Sequence, residues 1–127
     1  MKRATSISRQ LPQKSDGQPI IRAYREQDRT SVDDLYVLVF GQDAMRAFRN
    51  RWNWQFSANP ACDRSESMMW IAELEGEAIG FLASFTCRFK IFDEMTILRL
   101  PCDLMVSGAA RGKGVGEKLI RTYVDTE

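Results

Sequence analysis

The sequence of 127 residues contains no histidine. That removes His-based catalytic triads, HExxH zinc sites and any imidazole base from the chemistry open to this chain. Cysteine is sparse: Cys62, Cys87 and Cys102 are odd in number, widely spaced and form no CxxC pattern. They read as small buried thiols of a reducing compartment, so the expected location is cytoplasmic and no metal site is expected. No apolar run approaches the roughly 18–20 residues of a membrane-crossing helix, and the N-terminus lacks the apolar stretch of a secretory signal. No repeat or low-complexity tract is present.

Charge is balanced but unevenly placed. The formal net charge is +1, with 18 basic and 17 acidic residues. Residues 1–14 carry Lys2, Arg3, Arg9 and Lys14 without an acid, which leaves 14 basic against 17 acidic residues in the remainder, a net of −3. The domain therefore has no basic surface for nucleic acid, and no nucleic-acid or membrane partner is expected. Residues 1–18 have little to bury and are expected to be a flexible basic arm; residues 19–127 form the domain.

Within the domain the hydrophobic period changes twice. Ile20 to Arg25 suits a short strand. Val32, Leu35, Tyr36, Val39 and Phe40 form one apolar helical stripe, with Ser31 and Asp34, or Asp28, as candidate caps and Gly41 as the stop. A second helix is expected over Asp43 to Phe56, with Ala44, Phe48 and Trp52 four apart, ended by Asn59-Pro60. Met68 to Leu74 is a strand, and Glu75-Gly76 turns the chain. From Ile79 to Ile91 every second residue is apolar, which predicts a strand with one buried and one largely polar face. After Phe92-Asp93-Glu94 a third strand runs from Met95 to Val106, so short turns make an antiparallel meander.

The segment Arg111-Gly112-Lys113-Gly114-Val115-Gly116 lies between that strand and a helix bearing Leu119, Ile120 and Tyr123. Glycines let backbone N–H groups approach a ligand, the helix start adds unpaired donors and partial positive charge, and Arg111 and Lys113 add full charges. A pyrophosphate suits such a loop. The segment is neither a Walker A loop, because Ser107 and Gly114 stand where Gly and Ser/Thr are needed, nor a GxGxxG dinucleotide fingerprint, because its spacing is GxGxG and its strand belongs to a meander.

Arg111-x-x-Gly114-x-Gly116 resembles the R/QxxGxG/A motif of the GCN5-related N-acetyltransferase (GNAT) superfamily. The order of elements agrees, and Val106 to Gly116 looks like that family's VxPxxRGKGIG, with Gly108 in place of proline. The segment Phe40-Gly41, Trp52-Asn53-Trp54-Gln55-Phe56, Asn59-Pro60 resembles an FG…WxW…NP pattern of a bacterial branch. The resemblance covers about residues 19 to 125. It implies an α/β (α+β) fold, a mainly antiparallel sheet flanked by helices, with acetyl-CoA as cofactor. It places the pyrophosphate on Arg111, Gly112, Lys113, Gly114, Val115 and Gly116, and the pantetheine arm along Leu104, Met105 and Val106. The activity implied is transfer of an acetyl group to a primary amine of a small molecule or peptide by direct attack on the thioester.

An amine that arrives as an ammonium needs a base. Asp103 is the candidate; by alternation it shares a face with Arg99, Pro101 and Met105, and its structural alternative is a solvated carboxylate paired with Arg99. Trp52 and Trp54 are candidates for the acceptor pocket, with the core as the alternative expected at least for Trp52. The resemblance also implies a further strand and helix, and the tyrosine that protonates the leaving thiolate, beyond Glu127. Tyr123, on the cofactor helix, is not assigned that role. The expectation is thus a domain incomplete at its C-terminus, whose strand Met95–Val106 leaves an open edge for self-association. The alternative reading is a non-catalytic module that binds coenzyme A or pairs with another domain.

Overall fold

The structure, a computed structural model, describes residues 18–61 and 69–126. The basic arm lies outside the described residues except for Gln18, as do Cys62 and Met68. Four strands, β1 (Ile20–Ala23), β2 (Met69–Leu74), β3 (Glu77–Ile91) and β4 (Glu94–Val106), form one sheet in sequential order. All three pairings are antiparallel, as the short turns require. Helices α1 (Arg29–Phe40) and α2 (Met45–Trp52) connect β1 to β2, and α3 (Val115–Thr126) follows β4. Among the described residues, no helix is long and apolar enough to cross a membrane.

Helix α1 begins before the Ser31/Asp34 box. Asp28 occupies its N-cap position but makes no capping bond to it. The Asp28 carboxylate instead accepts the Arg25 N–H at 2.7 Å and two bonds from Arg22 at 2.8 Å. Arg22 also reaches Glu73 at 2.8 Å, so one guanidinium ties β1, β2 and the entry to α1 together. The hydrogen bond from Arg22 holds the Asp28 carboxyl down to about 2. The second helix is not continuous over 43–56. A short 3-10 turn covers Gln42–Ala44, α2 follows, and a π-turn spans Asn53–Ser57. This wider turn brings Phe56 into the core below Trp52, with ring centroids 5.1 Å apart.

Each face of the sheet carries a core. On one face Val32, Leu35 and Tyr36 of α1 and Met45, Phe48 and Trp52 of α2 pack on Ile71, Phe81, Ala83 and Met105. Tyr36 stacks on Phe48 at 3.9 Å, an aromatic contact of the kind that adds about 0.5–1.5 kcal/mol beyond its area. On the other face Val115 and Leu119 of α3 pack on Trp70, Ala72 and Leu82.

The expected division of β3 into a buried and a polar face is therefore corrected. Over residues 79–84 both faces are buried, and Leu82 and Ser84 lie beneath α3's side of the sheet and out of water. A bulge opposite Ala72/Glu73 also breaks the alternation, so that Ile79 joins the α3 core while Phe81 joins the α1/α2 core. Further along, Phe89 and Ile91 are exposed, because the β3–β4 hairpin extends past the end of β2.

Candidate active site

Strand β4 is an edge of the sheet and carries a second bulge. Phe81 pairs with Met105, but Ala83 pairs with Cys102, so Asp103 and Leu104 together stand opposite Leu82. Asp103 sits in the extra position with φ of 54°, in the left-handed region. Simple alternation fails here: Met105 is 1 % exposed in the α1/α2 core, and Cys102 packs against the same core. Burial pushes the Cys102 thiol up to about 12, which keeps it protonated.

The partner of Asp103 is Arg51 of α2, not Arg99. Arg51 Nη1 donates to both carboxylate oxygens at 3.1 Å, and the Asp103 side chain is only 11 % exposed. Burial acts most strongly and lowers the Arg51 pKa, but the hydrogen bond and charge of Asp103, joined by Tyr36, together outweigh it and leave the guanidinium raised. Arg51 is the residue that sequence reading missed. It lies 52 positions from its partner, and no local pattern marks it.

After β4 the chain makes a 3-10 turn over Gly108–Ala110 and then the glycine segment. The Ser107 N–H donates to the Ile79 carbonyl at 2.8 Å, fixing the start of the loop to β3. Gly112 and Gly114 have φ of 84° and 76°, with nothing within 4 Å of where a Cβ would stand. Their left-handed backbones and open surroundings turn the loop without covering its amides. The first helical bond runs from Lys118 N–H to Gly114 O at 3.0 Å. Helix geometry thus leaves the N–H groups of Val115, Gly116 and Glu117 without an intrahelical acceptor.

Around this point lies a depression of about 390 Å³. Leu104 and Val106 of β4 form one wall, and Ala110, Arg111, Gly112, Gly114, Val115 and Gly116 the other. Most of the expected cofactor residues thus meet at one place, and Ala110 joins them. Two do not. The Met105 side chain belongs to the core, leaving only its backbone near the strand edge, and Lys113 lines a separate cleft of about 450 Å³ beside Asp34 and Glu77. Arg111 folds back, with Nε donating to the Val106 carbonyl at 3.4 Å.

Of the two candidate tryptophans, Trp52 lies in the core, as expected. Trp52 is buried, while Trp54 is half exposed and lies edge-on to Phe85 at 6.2 Å. Tyr123 donates its hydroxyl to the Arg99 carbonyl at 2.6 Å and thereby ties α3 to β4. Asn59 Nδ2 donates to the carbonyls of Gln55 and Thr86, anchoring the end of the π-turn on β3. Among the described residues, no group of three or more Cys, Asp or Glu is placed to hold a metal ion.

Comparison with known proteins bears on the family and the fold. Residues 20–126 match the Acetyltransferase (GNAT) family. An uncharacterised N-acetyltransferase of Archaeoglobus fulgidus is 31 % identical over 112 residues, covering 88 % of this chain and 67 % of the relative. A GNAT family acetyltransferase from Brucella melitensis, solved in complex with acetyl-CoA, superposes with a TM-score of 0.66 at 19 % identity, over 87 % of this chain and 68 % of its own. A GCN5-related N-acetyltransferase from Kribbella flavida superposes with a TM-score of 0.66 at 12 % identity, over 87 % of this chain. This chain spans only 27 % of the Kribbella protein. These two likenesses speak for the fold, and the family match spans nearly the whole described chain. The chain belongs to the acetyltransferase (GNAT) family.

Proposed function

We propose that this chain carries out, or forms the cofactor-binding part of, acetyl transfer from acetyl-CoA to a primary amine of a small molecule or peptide in the cytoplasm. The observation that carries the reading is the open glycine loop at the start of α3, directly beside the bulged free edge of β4. The loop amides of Gly112, Gly114, Val115 and Gly116 cradle the pyrophosphate, and the unpaired donors at the helix start favour its charge. Arg111 and Lys113 supply positive charge nearby, Lys113 after a rotation out of its own cleft. Along β4 the backbone of Leu104, Met105 and Val106 holds the pantetheine arm, and an N–H of this segment polarises the thioester carbonyl.

The amine nitrogen attacks the carbonyl carbon, the carbon–sulfur bond breaks, and the products are the amide and coenzyme A thiol. The proton lost by the incoming ammonium passes to Asp103, directly or through water. The test is thiol release from acetyl-CoA with a panel of primary amines. Amine-dependent release supports the enzyme. Saturable binding of acetyl-CoA with no release for any amine supports a coenzyme A-binding module, and absence of both removes the proposal.

A further inference from the structure

We infer that Arg51, which does not line the cofactor depression, is a positioning residue: through Asp103 it fixes the β4 bulge and so decides which backbone N–H groups face the open strand edge. The inference rests on the reading of β4 as the acyl-CoA strand. Three observations meet at Asp103. Its φ of 54° is a conformation that costs a non-glycine residue free energy and persists where the surroundings impose it. The register slips by one residue at that position. Both oxygens of its carboxylate, 11 % exposed, are held by one Arg51 nitrogen at 3.1 Å.

Arg51 is itself constrained. Its Nη1 lies 3.5 Å from Gln55 Oε1, and its guanidinium carbon is 5.7 Å from the Phe48 ring centre. Gln55 and Phe48 are both buried, so the anchor is part of the α2 packing and not a loose surface pair. An exposed ion pair would contribute little. This one joins a packed helix to a strained strand position.

The consequence lies in the backbone. Along a strand, successive N–H groups point to opposite edges. One extra residue at Asp103 exchanges which residues after it present N–H groups to the free edge. The same shift sends Met105 into the core and Leu104 and Val106 to the depression. Loss of the anchor lets the bulge move or relax. The donor that polarises the thioester is then misplaced, although the loop that holds the pyrophosphate is untouched.

The test uses Arg51→Gln, Arg51→Lys and Asp103→Asn in the full chain. In Arg51→Gln the kcat for acetyl transfer is expected to fall by about 10- to 100-fold, the scale of small misplacements at a reacting centre, while the acetyl-CoA KM rises by a smaller factor, because the glycine loop still holds the pyrophosphate. Arg51→Lys, which keeps a cation at that site, recovers a substantial part of the rate. Independently of activity, the amide signals of Leu104, Met105 and Val106 in a ¹⁵N-resolved spectrum should shift in Arg51→Gln and Asp103→Asn alike, with the Gly112–Gly116 signals unmoved. If Arg51→Gln does not fold, the smaller shift of the same signals in Arg51→Lys decides. Unmoved β4 amide signals in the folded variants would overturn the inference, as would an Arg51→Lys rate no better than that of Arg51→Gln. If the wild-type chain transfers no acetyl group, the acyl-transfer reading fails by itself, and the amide signals still judge the role of Arg51.

Discussion

Replacing Gly80 by alanine tests how tightly α3 is seated on the sheet, and with it the placement of the glycine loop. A Cβ at this position would stand 2.9 Å from Val115 Cγ1, 3.1 Å from Leu119 Cδ1 and 3.2 Å from Ala72 Cβ. Val115 opens α3 and is β-branched, so its rotamer is stiff. Ala72 moves only if β2 moves. The clash is therefore relieved by lifting the first turn of α3 from the sheet. Overpacking of this kind costs about 1–3 kcal/mol, and removing a strand glycine returns roughly 0.5–1 kcal/mol. The net expectation is about 1–2 kcal/mol of destabilisation. For a chain of this length that is a fall in melting temperature of about 4–8 °C. Thermal unfolding followed by circular dichroism measures it, and titration with acetyl-CoA on the folded variant should show weaker binding, since Val115 and Gly116 line the depression. An unchanged or higher melting temperature with wild-type affinity would refute the close α3–β3 packing and its coupling to the site.

Other expectations are as direct. The Asp28 carboxyl is held at about 2 against an ordinary 3.8; its stabilisation is complete above about pH 5 and is lost as pH falls through about 2, so Asp28→Asn should flatten the fall in melting temperature over that window. Asp103→Asn should lower kcat/KM for the amine by about 10²–10⁴-fold if Asp103 takes the proton, with a much smaller loss of acetyl-CoA affinity in calorimetry, since the glycine loop is untouched. The open edge of β4, with Met95, Ile97, Leu98 and Leu104 partly exposed, should support association of the isolated chain, visible as a mass above 14.6 kDa in light scattering. A concentration-independent monomer would remove that expectation.

What could be read from the residues was local. Of the expected α1 stripe, Val32, Leu35 and Tyr36 are buried, Val39 is half-buried and Phe40, at the helix end, is exposed; Phe48 and Trp52 share the buried side of α2, while Ala44 lies in the 3-10 turn before it. The glycine segment was legible because its spacing, its cations and its place between strand and helix all lie within a few residues. Alternation, by contrast, holds only while the register is regular. The bulges at Ile79 and Asp103 depend on pairing with other strands, and each sends a residue to the face opposite the one its number suggests. The buried far side of β3 was hidden for a similar reason: Gly80 looks neutral, and it is covered by Val115 and Leu119 of α3, from 35 residues on. Arg51 was unreadable because its role exists only once α2 is laid against β4.

The central claim, that the glycine loop holds the pyrophosphate of acetyl-CoA, is tested most directly by calorimetric titration of acetyl-CoA into the wild-type chain and Gly116→Glu. Gly114 is the poorer position, because its φ of 76° would strain any side chain regardless of ligand. Gly116 is free of that confusion: a Cβ there would meet Val106 at 3.7 Å and Leu104 at 4.0 Å, ordinary contact distances. The glutamate would bring a carboxylate to the depression where phosphate charge is placed. Measurable binding by the wild type and its loss in a Gly116→Glu variant that melts normally are the expected results; equal affinity in the two proteins would contradict the pyrophosphate assignment.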